Sequence, residues 1–255
     1  MKHFPVSHSS AGAPRVKAVR LLFVAMLTLA SGCGAPAPLG EQQLYDEASQ
    51  EFERGNFSLA SQRYDELLEQ FPFSDLSEVA RLRVGQAYYL NGDYHKAIAA
   101  FRDFERLHPT SRLLDFVEYT IGMSHLDQAR SRDRDKSATD EALRQFDRVG
   151  ERYPASIYGR LAEYREEQCE QKLASHELYV GDYYVKTGEV TAGLARYRYV
   201  LDYYPATDAA LLCAERLGLP SDEYGPNAPE RTSGYEIIEI PASETGILDP
   251  NLGLE

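Results

Sequence analysis

Four stretches of the chain carry the same landmarks at the same spacing, and nothing else narrows the fold as much. A small residue is followed four positions on by an aromatic, three further by an apolar residue and five further by a proline. The sets are Ala60, Tyr64, Leu67 and Pro72; Ala97, Phe101, Phe104 and Pro109; Ala142, Phe146, Val149 and Pro154; and Gly193, Tyr197, Val200 and Pro205. Each position has a physical reason in a helical hairpin. The small residue sits where two paired helices approach most closely. The aromatic, burying on the order of 150–250 Å², is expected to fill the space between one pair and the next. The proline ends the second helix, because it has no N–H to donate and pushes the residue before it out of helical conformation. Gly55-Asn56, Gly92-Asp93 and Lys186-Thr187-Gly188 supply turns between paired helices, where glycine tolerates left-handed backbone.

Self-similarity on this scale marks a solenoid, and the tetratricopeptide repeat has a period of about 34 residues. The chain therefore reads as all-α, a tetratricopeptide-like solenoid of about four hairpin units. No alternating strand pattern precedes residue 234. The first anchors are 37, 45 and 51 residues apart, so the later units carry insertions. The alternating-charge run Arg130–Asp140 accounts for the first as a solvated loop. Ser156 to Lys186 contains no proline, which predicts one helix of roughly 45 Å at 1.5 Å per residue, joining the two halves. Two helices kinked near Gly181 are the alternative. Counted from the turns, the first helices of the units would present Tyr45, Phe52, Gln86, Tyr89, Phe116, Tyr119 and Met123 on an inner, partner-binding surface. Packing into the core is an equally open reading of the same positions.

The N-terminus is a processing signal. Lys2, Arg15, Lys17 and Arg20 precede an apolar run from Leu21 to Ala30, which ends in Ser31-Gly32-Cys33. A run this short cannot span a bilayer, which takes about 20 residues, and reads as a secretory signal peptide. "ASGC" resembles the lipobox of bacterial lipoproteins, with Ala30 where leucine is usual. That resemblance implies cleavage after residue 32, a diacylglycerol on Cys33 and a tether over 33–40. Ordinary cleavage with a free Cys33 is the other reading. Gly34, in place of an aspartate, implies the periplasmic face of an outer membrane. Removal of residues 1–32 leaves 23 Lys+Arg against 40 Asp+Glu, a formal charge of −17. Such a surface repels phosphate, which excludes nucleic acid as a partner class.

Three blocks carry a family resemblance: Phe71-Pro72-Phe73-Ser74, "HPTSRLLDFVEYTIGMSH" from His108, and Leu173 to Thr207. They resemble the BamD family of outer-membrane lipoproteins over about residues 41–215. The resemblance implies a non-enzymatic subunit of the machine that inserts β-barrel proteins into the outer membrane. Its N-terminal half (41–155) would meet unfolded barrel clients, and its C-terminal half (156–218) would dock the barrel subunit's periplasmic domains. Arg196, one residue before Tyr197, is then expected to hold its guanidinium outward for a carboxylate on that subunit. The family's usual fifth hairpin is missing. A short helix from Thr207 to Leu217 is followed by 219–255, an acidic stretch with eight acids and one arginine that reads as disordered. Within it, Tyr235–Ile240 could add as a strand to a partner's sheet.

Chemistry-bearing motifs are scarce. His176-Glu177 opens like a zinc H-E-x-x-H, but Val180 stands where the second histidine belongs, and there is no C-x-x-C pair, phosphate loop or G-x-S-x-G. Neither catalysis nor a cofactor or metal is expected. Cys169 and Cys213 could close a bridge worth about 4 kcal/mol, or stay as two buried thiols. Rival functions are a pilotin-like or Tol-system lipoprotein of the same build, against which the Leu173–Thr207 block argues, and an envelope hydrolase that uses the solenoid to hold substrate.

Overall fold

Helices begin and end where the landmarks require. The computed structural model describes residues 39–131, 136–220 and 222–226. Among them are nine helices and no strand: α1 (Glu41–Glu53), α2 (Phe57–Gln70), α3 (Ser77–Leu90), α4 (Tyr94–Leu107), α5 (Leu114–Ser131), α6 (Ser137–Arg152), α7 (Ile157–Lys186), α8 (Val190–Tyr203) and α9 (Asp208–Leu217). All lie in one unit that begins at Glu41. Phe71, His108, Tyr153 and Tyr204, each just before a repeat proline, leave the helix with φ between −127° and −134°. Gly55, Gly92 and Gly188 turn the hairpins with φ of 78°, 79° and 93°, a region a Cβ makes costly.

Each helix packs on the next in sequence, the solenoid order, and α7 also reaches α5 and α9. The repeat anchors form its core: Ala60, Tyr64, Leu67, Ala97, Phe101, Phe104, Ala142, Phe146, Val149 and Val200 are fully buried, and Tyr197 nearly so. Gly193 holds the predicted close approach, since a Cβ there would stand 2.8 Å from the Gly181 carbonyl oxygen. The aromatics correct the expectation that they fill only the gap between pairs. A Cβ on Gly85 would meet the Phe101 ring at 2.5 Å, on Gly122 the Phe146 ring at 2.6 Å, and on Gly181 the Tyr197 ring at 2.6 Å. Each ring thus lies across a bare patch on the first helix of its own hairpin. Phe101 also meets the next unit, edge-on to Phe116 at 6.5 Å.

A second repeated device ties consecutive units. The hydroxyl two residues after the repeat proline donates to the acid that opens the preceding first helix: Ser74 to Glu41 and Ser111 to Glu78, both at 2.6 Å, and Ser156 to Asp115. Thr207 holds the fourth such position and instead caps α9 by accepting from the Ala210 N–H at 3.3 Å.

The stretch from Ser156 does form one helix, the 30-residue α7 capped by Ser156, and it is unbroken at Gly181. Ala162 and Cys169 pack in a core with α5 and α6 residues, whereas Ala174 packs in another with α8 and α9. Cys169 and Cys213 are buried free thiols in these two different cores, and burial pushes them up to about 12 and about 11. Two boundaries shift. The charged run is partly helical, because α5 continues to Ser131 and α6 starts at Ser137. The segment read as a disordered tail from Leu219 starts with an ordered turn: Gly225 donates its N–H to the Pro205 carbonyl at 2.8 Å, and Tyr224 packs on the last core. The signal segment, Cys33, residues 132–135 and Tyr235–Ile240 lie outside the described residues.

Candidate partner-binding surfaces

The first helices of the units do not present the expected surface. Phe52, Gln86, Phe116, Tyr119 and Met123 are buried. Each first helix after α1 is packed between the preceding and the following second helix, so a wide arc of it is covered. Leu82 to Ala87 of α3 and Phe116 to Ser124 of α5 are buried without a break. Tyr119 lies against Phe146 and Tyr158, with ring centroids 5.6 and 5.5 Å away. Phe52 is covered by the Arg83 guanidinium at 5.1 Å. Tyr45 and Tyr89 remain half-buried. The Tyr45 ring meets Tyr64 edge-on at 5.7 Å, and the Tyr89 hydroxyl donates to Asp127 at 2.6 Å.

Arg196 is likewise not free. Its Nη1 donates to Glu177 Oε2 at 2.8 Å, while Lys136 Nζ donates to Oε1 of the same carboxylate at 2.8 Å. Glu177 is almost completely buried on α7, Lys136 directly precedes α6, and Arg196 is on α8. Burial alone would raise the Glu177 carboxyl; Lys136 and Arg196 outweigh it and hold the group below its ordinary 4.5. Its bond to Glu177 in turn raises Lys136. Half of the Arg196 side chain remains exposed, so this guanidinium is held in place by one edge.

Glu177 has a counterpart that the sequence reading also missed. Glu118 stands four residues before Gly122 as Glu177 stands four before Gly181, and it too is fully buried. Its Oε1 accepts from Arg152 at 2.5 Å and from the Tyr153 hydroxyl at 2.8 Å; Oε2 faces Arg148 Nε at 3.4 Å, an ion pair without a directed hydrogen bond. A glutamate one turn before a helix glycine, opposite a helix rich in arginine, is the signal for both.

The exposed aromatics lie elsewhere. Tyr179 and Tyr183 on α7 are 71% and 57% exposed, one turn apart. Gly181 faces α8, and a step of two residues turns a helix by about 200°, so both rings point away from the packed side. On the packed side Asp182 ties three helices together, accepting from the Tyr197 hydroxyl at 2.6 Å and from Arg216 at 2.7 and 3.0 Å. Among the described residues no group of His, Cys, Asp and Glu could hold a metal ion, and no helix is long and apolar enough to cross a membrane.

Comparison with known proteins gives this arrangement a context. Residues 39–225 match the family model YfiO, described as outer membrane lipoprotein. A protein of Vibrio cholerae named outer membrane protein assembly factor BamD is 30% identical over 198 residues, covering 72% of this chain and 82% of the relative. Proteins of the same name from Caulobacter vibrioides and Neisseria gonorrhoeae are 28% and 31% identical, covering 64% and 65% of this chain and 54% and 66% of their own lengths. With the family model spanning the whole helical array and its last ordered turn, the chain belongs to the YfiO/BamD family of outer-membrane lipoproteins.

Proposed function

We propose that the chain is a non-enzymatic scaffold of the machinery that assembles β-barrel proteins in the outer membrane, anchored to the periplasmic face of that membrane through lipid on Cys33. The observation that carries this reading is the family match over residues 39–225, which coincides with the helical array. The C-terminal half docks the barrel subunit. Tyr179 and Tyr183 suit the apolar part of that contact, as tyrosines are enriched at interface hot spots. Arg196, held by Glu177 through Nη1, offers its remaining donors to a carboxylate with little ordering left to do. The N-terminal half meets unfolded barrel proteins through half-buried Tyr45 and Tyr89, with Phe52, Gln86, Phe116, Tyr119 and Met123 supporting the helices from within.

Purification of the full lipidated chain from membranes, with its partners identified by mass spectrometry, tests this. Recovery of the barrel subunit is the expected outcome. Recovery of a secretin or of Tol components in its place would move the chain to another envelope system, and hydrolysis of peptidoglycan by the purified protein would overturn the non-enzymatic reading.

A further inference from the structure

Phe73 is 98% exposed, while Phe52, Phe101, Phe104, Phe116 and Phe146 are buried. The ring follows Pro72 in the loop between α2 and α3. At the equivalent place after the other repeat prolines stand Thr110, Ala155 and Ala206, so only the first unit puts a large apolar group there. Its loop is fixed to the start of the array. Ser74 donates its N–H to the Phe71 carbonyl at 3.1 Å and its hydroxyl to Glu41 at 2.6 Å, and the Leu76 N–H donates to the Ser74 hydroxyl at 2.9 Å. Phe73 is therefore held beside the residue at which the chain enters the helical array. Cys33 lies eight residues earlier in sequence, a reach of about 28 Å at most for an extended chain.

We propose that Phe73 seats in the surface of the lipid bilayer, a second membrane contact beside the lipid on Cys33; the inference rests on the reading of Cys33 as the anchor. An apolar ring on a restrained loop suits the boundary between headgroups and acyl chains. It also suits this chain in particular. With a formal charge of −17 after processing, the protein gains nothing from the electrostatic attraction that draws basic segments to anionic lipid, so an uncharged contact is the kind left to it. The occupant is the zwitterionic lipid surface, and the tether keeps ring and bilayer at high effective concentration. Through Ser74 and Glu41 the seated ring would set the direction in which the first helix leaves the membrane.

The chain contains no tryptophan, so Phe73→Trp carries a sole tryptophan at the site and Tyr179→Trp a sole tryptophan on an exposed face far along the sequence, each excited at wavelengths that tyrosine does not absorb. Each full, lipidated variant is reconstituted into vesicles of phosphatidylethanolamine and phosphatidylcholine, floated, and read by fluorescence with and without brominated acyl chains. Emission of Phe73→Trp is expected to shift to shorter wavelength, with quenching several-fold greater than for Tyr179→Trp. Equal quenching of two variants that both float with the vesicles would overturn the seating and leave the anchor standing. Failure to float would overturn the anchor and the seating with it. A blue shift that appears only after the barrel subunit is added would assign the ring to a protein pocket and overturn the lipid contact.

Discussion

Replacing either of two helix glycines by alanine should move stability in opposite directions, and the structure says by how much. Gly85 lies in the interior of α3, where alanine is the better helix former by about 0.8–1 kcal/mol; Gly150 lies in the last turn of α6, where the same preference is smaller. At Gly150 the added methyl would stand 3.6 Å from the Glu163 Cγ, an ordinary contact, so that gain is kept. At Gly85 the same methyl would stand 2.5, 2.7 and 2.8 Å from three atoms of the Phe101 ring. That ring is fully buried and edge-on to Phe116, so relief requires moving a packed core. Overpacking of this kind costs about 1–3 kcal/mol. Gly85→Ala is therefore expected to be net destabilising by up to about 2 kcal/mol, and Gly150→Ala to be stabilising. Urea denaturation followed by far-ultraviolet circular dichroism reads both. A cycle with Phe101→Leu isolates the cause, since without the ring Gly85→Ala should recover the propensity gain. Equal rises in midpoint for the two alanine variants, or an unchanged cost of Gly85→Ala without the ring, would refute the idea that ring against glycine sets the hairpin.

The remaining predictions concern charge and anchoring. Because the Glu177 carboxyl is held below 4.5 in the folded state, the unfolded chain binds more protons at low pH. The stabilisation is present above about 4.5 and is lost as pH falls through the lowered value. Glu177→Gln should flatten that acid limb of the stability curve and also lower stability at neutral pH; an unaltered limb would place the titration elsewhere. Arg196→Glu sets a carboxylate against Glu177, where a 2.8 Å ion pair stands, and should cost about 1–3 kcal/mol. Arg196→Gln also gives up the ion pair to the buried Glu177 carboxylate but adds no like charge, so it should cost less stability than Arg196→Glu. Assayed where the variant is fully folded, it should reduce recovery of the barrel subunit, with undiminished recovery moving the contact off α8. Cys33→Ser should leave the protein in the soluble periplasmic fraction or as uncleaved precursor; a cleaved variant that still sediments with membranes would refute the anchor.

The second helix of each hairpin was legible in the sequence because it is buried on one side, and its anchors keep a period that sterics enforce: Ala97, Phe101 and Phe104 share one face, and all are fully buried. The first helices were not, for a reason visible in α5. Phe116 to Ser124 are buried around the whole circumference, and the sequence there, with Glu118, Thr120 and Ser124 among the buried residues, has no polar stripe to mark a surface. Counting from the turn therefore could not separate a lining residue from a core residue, and of the two open readings of Phe116, Tyr119 and Met123 their burial matches the core one. A usable signal was present nonetheless. Ala48 precedes Tyr64, Gly85 precedes Phe101 and Gly181 precedes Tyr197 by 16 residues each. In the third unit Gly122 precedes Phe146 by 24, longer by the charged insertion. Finding the small residue fixes the packed face of the first helix, and with it the outward direction of Tyr179 and Tyr183. The pairing of Arg196 with Glu177 was not legible because the two stand 19 residues apart on different helices, a pairing no local spacing reports.

Continuity of α7 changes what docking at one end can do at the other. A hinge between two sets of hairpins would let them move independently, but one 30-residue helix belongs to both cores: Ala162 and Cys169 pack with α5 and α6, and Ala174 packs with α8 and α9. Bending it requires breaking consecutive backbone hydrogen bonds, and kinks in helices occur at prolines or comparable interruptions, none of which α7 shows. Glu177 adds a lateral constraint. Its two oxygens hold Lys136 at the entry to α6 and Arg196 on α8, so displacing α8 relative to α6 must break one of two 2.8 Å ion pairs and leave a buried carboxylate half-compensated. A partner carboxylate that drew Arg196 away from Glu177 would loosen that clamp, whereas one that met only its exposed edge would leave α6, α7 and α8 moving as a single body.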